Sequence, residues 1–149
     1  MATVMTLHQA IGRMLNTHPQ PSQLQRDLLA HCIGACVICS TTCTACADAC
    51  LAEGMEQELT ECIRTNLDCA EICRATAQTL VRQTMPDWSL LSLQTDACRA
   101  ACVTCAKICE QHAAMHEHCG ICAEACHQCE AACDTLLRDL SAAGQLTHP

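Results

Sequence analysis

Between residues 32 and 133 the apolar positions recur three and four residues apart, and most of them are cysteine. The first such stretch, CIGACVICSTTCTACADAC, carries Cys32, Cys36, Cys39, Cys43, Cys46 and Cys50. Side chains at that spacing share one face of a helix, whereas a strand repeats every second residue. The residues between them are alanine or polar, which favours helix and leaves the opposite face to water. The same phase returns three times: Cys62, Cys69 and Cys73, with Asn66 at the vacant seam position; Cys98, Cys102, Cys105 and Cys109; and Cys119, Cys122, Cys126, Cys129 and Cys133.

Turn signals divide these seams. The first segment is expected from Ser22, a plausible N-cap, to Glu53, where Gly54 supplies a stop. The second runs from Met55 to Gln83 and ends before Pro86, with Asp87 placed to cap the third, which starts near Trp88. No Gly or Pro separates Cys109 from Cys119, but continuing the alternation from Cys109 leads to position 123 where the thiol is Cys122. That slip places a turn at residues 113 to 117. The fourth segment is expected to end near Ala143, before Gly144. Ahead of the first lie an amphipathic stretch at residues 3 to 15 and a linker containing Pro19 and Pro21.

The expected fold is all-α: an antiparallel up-down four-helix bundle with a cysteine-lined core, plus a short N-terminal helix. The expected organisation is residues 1 to 21 as short helix and linker, 22 to 143 as the bundle, and 144 to 149 as a flexible tail. Extending each seam gives the two ends different chemistry. Leu28 or Leu29, Leu80, Trp88, Leu91, Leu136 and Leu140 meet at one end as an apolar plug. At the other end lie Cys50, Met55, Cys62, His112, Met115, His116, His118 and Cys119, a mouth of soft and polar groups.

Composition sharpens this picture. The 149 residues suit one domain, yet they include one Trp and no Phe or Tyr, so thiols occupy much of the interior that aromatic side chains ordinarily fill. Eighteen cysteines would suggest a disulfide scaffold in a short secreted chain. The N-terminus shows no basic region, apolar core or cleavage site of a secretory signal, and no unbroken apolar run of about 18 residues suggests a membrane span. A cytoplasmic chain with reduced thiols is therefore expected, and there such thiols point to metal or catalysis. A formal charge of -8 argues against nucleic acid and anionic membranes as partners. No thiol is set apart from the others by an orienting base, which argues against an enzyme.

Helix neighbours at these spacings hold their Cβ atoms about 5–6 Å apart, too far for an unstrained disulfide. Two thiolates can instead share one metal ion at about 2.3 Å from each sulfur. Soft thiolates select Cu(I), zinc or iron–sulfur clusters. One Cu(I) per thiolate leaves the interior neutral, whereas a zinc held by four thiolates leaves about -2 at each site. Iron–sulfur ligands commonly wrap one cluster from loops, unlike four parallel seams.

These CxxxCxxCxxxC repeats, over residues 22 to 143, resemble the bacterial copper storage proteins. The resemblance, with no secretory signal in view, implies the cytosolic branch: a homotetramer storing many Cu(I) ions inside each bundle, with a copper chaperone or efflux protein as a possible partner. It assigns all eighteen cysteines to the thiol seams and likens the His and Met residues around 112 to 118, with His112, Met115 and His118 as candidate ligands and His116 nearby, to mouth ligands; Met55 is a further candidate from its place at the same end. The second segment departs from the pattern through its three thiols and Asn66, read as a hydrogen-bonding seam residue. His31 and His127 flank the seams, and His8, His18 and His148 lie outside them. Two other readings remain at this point: a zinc or cadmium thiolate buffer, and a thiol-redox sensor.

Overall fold

The computed structural model describes residues 2–147, with side chains to residue 144. Its helices follow the order α1 (Leu7–Asn16), α2 (Arg26–Ala52), α3 (Glu56–Val81), α4 (Trp88–His112) and α5 (Glu117–Thr147). Helix α2 packs against α3 and α5, and α4 packs against the same two, which is the ring of an up-down four-helix bundle. Helix α1 lies outside the ring on α2, seated through Ile11 and Leu15. Thr6 and Gln9 begin it with a reciprocal capping box.

The cysteine phase determines how the bundle closes. Every one of the eighteen thiols faces inward, and none is more than 2% exposed. By length and mean hydropathy α2 is apolar enough to cross a membrane, in contrast to the expectation from sequence. Much of that hydropathy belongs to its cysteines, and these face the other helices of the bundle.

Several helix ends differ from expectation. Ser22 does not cap α2: its hydroxyl accepts from the Leu24 amide at 3.0 Å and donates to Gln83 Oε1 at 2.7 Å, tying the linker to the end of α3. The helix instead starts after Gln25, whose amide donates to Asp139 Oδ2 of α5 at 2.7 Å. Asp87 does cap α4, accepting from the Leu90 amide at 3.0 Å. Gly54 has φ +69° and ends the α2 turn in the left-handed region that glycine tolerates. Gly144 does not stop α5, which continues to Thr147. Among the described glycines only Gly54 takes a positive φ, so Gly144 stays within the helix. Residues 148 and 149 of the expected tail, with His148, lie outside the described residues.

At one end Leu29, Leu80, Leu91, Leu136 and Leu140 are buried, with Leu24 added and Trp88 half-buried against them. A polar layer separates this plug from the thiols. Thr76 and Thr95 are fully buried. Their hydroxyls each donate to a carbonyl one turn earlier, Ile72 O and Leu91 O, both at 2.7 Å. Thr76 also accepts from Gln94 Nε2 at 2.9 Å. The hydroxyls are thus satisfied without an ion, and each fully buried leucine beyond them contributes about 1.5–3 kcal/mol that needs no metal.

Candidate metal centre

The four seams bring sulfur against sulfur along the bundle axis. Near the plug, Cys32 and Cys133 lie 3.9 Å apart. Next, Cys36 lies 3.8 Å from Cys98 and 3.7 Å from Cys129, and Cys73 lies 3.6 Å from Cys98 and 3.7 Å from Cys102. Further on, Cys39, Cys43 and Cys126 are mutually within 3.8 Å, with Cys122 3.6 Å from Cys43. All these sulfurs are free thiols. Two metal–sulfur bonds of about 2.3 Å span up to about 4.6 Å, so one ion can bridge any of these pairs without moving a helix. Sets of four sulfurs, such as Cys36, Cys98, Cys129 and Cys133 or Cys43, Cys105, Cys122 and Cys126, lie within 4.8 Å of one another. The middle sets share Cys39, Cys43, Cys69 and Cys126, and the others stack above and below them along the axis as a column of donors.

Asn66 interrupts the α3 seam where the sequence has no thiol, and it is fully buried. Its Oδ1 accepts from Cys105 and Cys122 at 3.0 Å and from Cys109 at 3.4 Å, while Nδ2 donates to Cys62 at 3.6 Å. One amide thereby contacts thiols from α3, α4 and α5. A carboxamide takes the place that a fourth α3 thiol would occupy, and it adds no charge.

The mouth is built where α2 and α3 turn and where α4 meets α5. The His112 carbonyl accepts from the Met115 and His116 amides at 3.1 and 2.9 Å, which turns the chain back toward α5. His118 at the start of α5 places Nδ1 at 3.4 Å from Cys46 and 3.6 Å from Cys119. Its ligand nitrogen groups with the sulfurs of Cys46, Cys50 and Cys119. On its other side Nε2 donates to Glu53 Oε1 at 2.9 Å. His116 is 8% exposed, stacks on His118, and approaches the same Glu53 oxygen through Nδ1 at 3.2 Å. His112 and Met55 are half-buried, while Met115 is 69% exposed. His31 and His127 lie on the outer surface.

Electrostatics differ along this end. Burial pushes the Cys119 thiol up to about 12, with Cys62 and Cys50 acting in the same direction. Burial also raises Cys50, again reinforced by Cys62. Hydrogen bonds from Cys109 and Cys46 hold Cys62 below the ordinary thiol value. The hydrogen bond from His118 keeps the Glu53 carboxyl below the usual carboxylate range. Raised thiols remain protonated at neutral pH, so an entering metal must release their protons.

A thiol column closed by leucine at one end and flanked by imidazole at the other is a container for soft cations. The family model for copper storage proteins matches residues 25–138. The chain belongs to the copper storage protein family. Within the family it is similar to the copper storage protein Ccsp of Streptomyces lividans, solved loaded with 10 copper equivalents, at 45% identity and a TM-score of 0.85, covering 87% of this chain and 98% of that one. A structure of the cytosolic copper storage protein of the same organism with five coppers is 49% identical with a TM-score of 0.74, covering 75% and 93% of the two chains. A cysteine-rich Bacillus subtilis protein, YhjQ, is 32% identical over 105 residues, 70% of this chain and 92% of that protein.

For this family member, sequence spacing located every thiol of the column. It also grouped His118 with Cys119 and Cys50, though not with Cys46, the thiol nearest its Nδ1. It placed His116 at the mouth but outside the ligand set, where the structure buries it, and it did not single out Glu53 or Leu59, a fully buried leucine at the mouth end of α3. Leu59 sits three residues before Cys62, so extending the α3 seam backwards would have found it. No local pattern marks Glu53, because its partners lie on the far side of two helices.

Proposed function

We propose that this protein stores Cu(I) in the cytoplasm, binding many ions per chain to thiolates along the bundle interior and withholding them from the surroundings. The observation that carries the reading is the stack of buried sulfurs, in contact at 3.6 to 4.0 Å at successive levels from Cys32 and Cys133 to Cys46 and Cys119, with four-sulfur sets within 4.8 Å that share Cys39, Cys43, Cys69 and Cys126 through its middle. Sets that share sulfurs cannot all be filled as separate tetrathiolate sites, and a monovalent ion for each thiolate compensates the buried charge that divalent ions in such sites would not.

All eighteen cysteines act as ligands in this reading. Cu(I) enters at the end bearing His118, whose Nδ1 already faces Cys46 and Cys119. His112, Met115 and Met55 provide softer donors on the way in, with the exposed Met115 meeting ions first. Each ion displaces a thiol proton and passes inward by exchange between neighbouring sulfurs. The role is binding and release with no catalysed reaction. Assembly as a homotetramer, and exchange with a copper chaperone or efflux protein, belong to the same proposal.

Anaerobic titration of the reduced protein with Cu(I), read as metal per chain at saturation, tests it. A ratio near or above the thiol count supports a filled column. A ratio of about four or fewer points to separate tetrathiolate sites of the zinc type. Competition settles the metal, since a Cu(I) store must release bound zinc or cadmium as Cu(I) is added. Thiol counting after mild oxidation tests the redox-sensor reading, which requires disulfides that the within-helix pairs cannot form without strain.

A further inference from the structure

Glu53 ends α2 on the exposed rim of the mouth, yet one of its oxygens meets two histidines. Oε1 lies 2.9 Å from His118 Nε2 and 3.2 Å from His116 Nδ1. The two rings stack with centroids 5.5 Å apart and an interplanar angle of 25°. A carboxylate can only accept hydrogen bonds, so His118 Nε2, which bonds to it, carries the hydrogen, and the approach of His116 Nδ1 to the same oxygen favours a hydrogen there as well. In a neutral imidazole the other nitrogen is then bare. For His118 this is Nδ1, at 3.4 Å from Cys46 Sγ and 3.6 Å from Cys119 Sγ. For His116 it is Nε2, a buried atom with no hydrogen-bond partner among the described residues.

We propose that Glu53 is the positioning residue of the mouth, imposing opposite tautomers on two stacked histidines so that His118 presents Nδ1 and His116 presents Nε2 to an incoming Cu(I). The inference rests on the Cu(I)-storage reading. Its physical basis is general: a ligating histidine whose second nitrogen donates to a carboxylate has its tautomer and ring orientation fixed and its basicity raised. Here a single oxygen serves two rings with opposite sense. The Nδ1–H form that it imposes on His116 is the less common tautomer of a free imidazole, which makes the arrangement detectable.

Long-range proton–nitrogen correlation of the histidine rings in the reduced, metal-free protein reads the tautomers directly. The expected result is Nε2–H for His118 and Nδ1–H for His116. In Glu53→Ala, His116 should revert toward Nε2–H, and transfer of the first Cu(I) from a chelator should slow about tenfold or more, in line with the loss of a partner to a ligating histidine. Glu53→Gln retains an acceptor oxygen and should restore both the tautomers and most of the rate. Saturating capacity should be the same in all three proteins, because no thiol is changed, and circular dichroism reports whether each is folded. Unchanged tautomers and loading rate in a folded Glu53→Ala overturn the proposal. A Glu53→Gln protein that keeps the tautomers but loads as slowly as Glu53→Ala also overturns it, since charge would then be the operative property. If the unaltered protein binds only a few ions, the storage reading fails, a result separate from either of these.

Discussion

The two ends of the bundle terminate the same four seams in opposite ways. At the plug, the α3 and α4 seams pass from cysteine through Thr76 and Thr95 to Leu80 and Leu91, and the α5 seam passes directly to Leu136 and Leu140. These groups are apolar or internally hydrogen-bonded, so that end is complete without metal. At the mouth the seams end in Cys50, Cys119 and two imidazoles that face Glu53, and the buried Nε2 of His116 has no hydrogen-bond partner among the described residues. One helix set thus ends on one side in leucines that pack without an ion and on the other in thiols and an imidazole whose donor atoms lie within 4.8 Å of one another.

The largest expected effect comes from the plug. Leu136→Ala removes a fully buried side chain and should destabilise the metal-free protein by about 2–5 kcal/mol, measured by urea unfolding followed by circular dichroism. Its first-ion loading rate should be unchanged wherever it remains folded. Copper should recover part of the lost stability, because ions that bind only the folded state shift the equilibrium toward it. A slowing of loading to match that of mouth variants would break the division between the two ends.

At the mouth the order of effects should reverse. His118→Ala deletes the nitrogen beside Cys46 and Cys119 and leaves every leucine in place. Stopped-flow transfer of the first Cu(I) should slow about tenfold, equivalent to about 1.4 kcal/mol in the barrier. The urea midpoint of the metal-free protein should move little, because His118 is a quarter exposed and bonds to a surface carboxylate. A large stability loss with normal loading would assign His118 a structural role instead.

What the sequence made legible follows from the range of each interaction. Cysteine spacing reports on a single helix face, so the four seams, their burial and the turn after His112 could all be read locally. The helix starts were harder. The α2 start depends on Asp139, 114 residues away from Gln25, and Ser22 is engaged by Gln83 across 61 residues. Glu53 was invisible for the same reason, since His118 lies 65 residues further along the chain. Gly144 misled in the other direction: glycine permits a helix stop but does not compel one, and α5 runs through it. Seam chemistry was thus available from periodicity, while the groups that orient the seam's ends were fixed only by tertiary contact.

A smaller effect should appear with pH. The Cys119 thiol rises from an ordinary 9.0 to about 12 in the fold, and Cys50 is raised as well. Between those values the unfolded chain has lost protons that the folded chain retains, so stability present below about 9 declines as pH rises toward about 12. The urea midpoint of the metal-free protein should fall over that window. In the loaded protein metal has already displaced these protons, and the decline should be absent. An equal decline in both forms would locate the alkaline-sensitive groups outside the thiol column.

The smallest expected change tests whether the plug begins where it does because of side-chain chemistry or because of the bundle's shape. Thr95 is fully buried at the seam position three residues before Cys98, and its hydroxyl is occupied by the Leu91 carbonyl at 2.7 Å. Thr95→Cys replaces that hydroxyl with a soft donor of similar size at the edge of the column. Saturating Cu(I) should increase by about one ion per chain, one for the added thiolate, with the first-ion rate unchanged because the new donor is at the far end from His118. An unchanged capacity would mean that the leucine layer closes the column sterically, so the boundary would belong to packing; an added ion would show that it is set residue by residue through the choice of oxygen or sulfur on each seam.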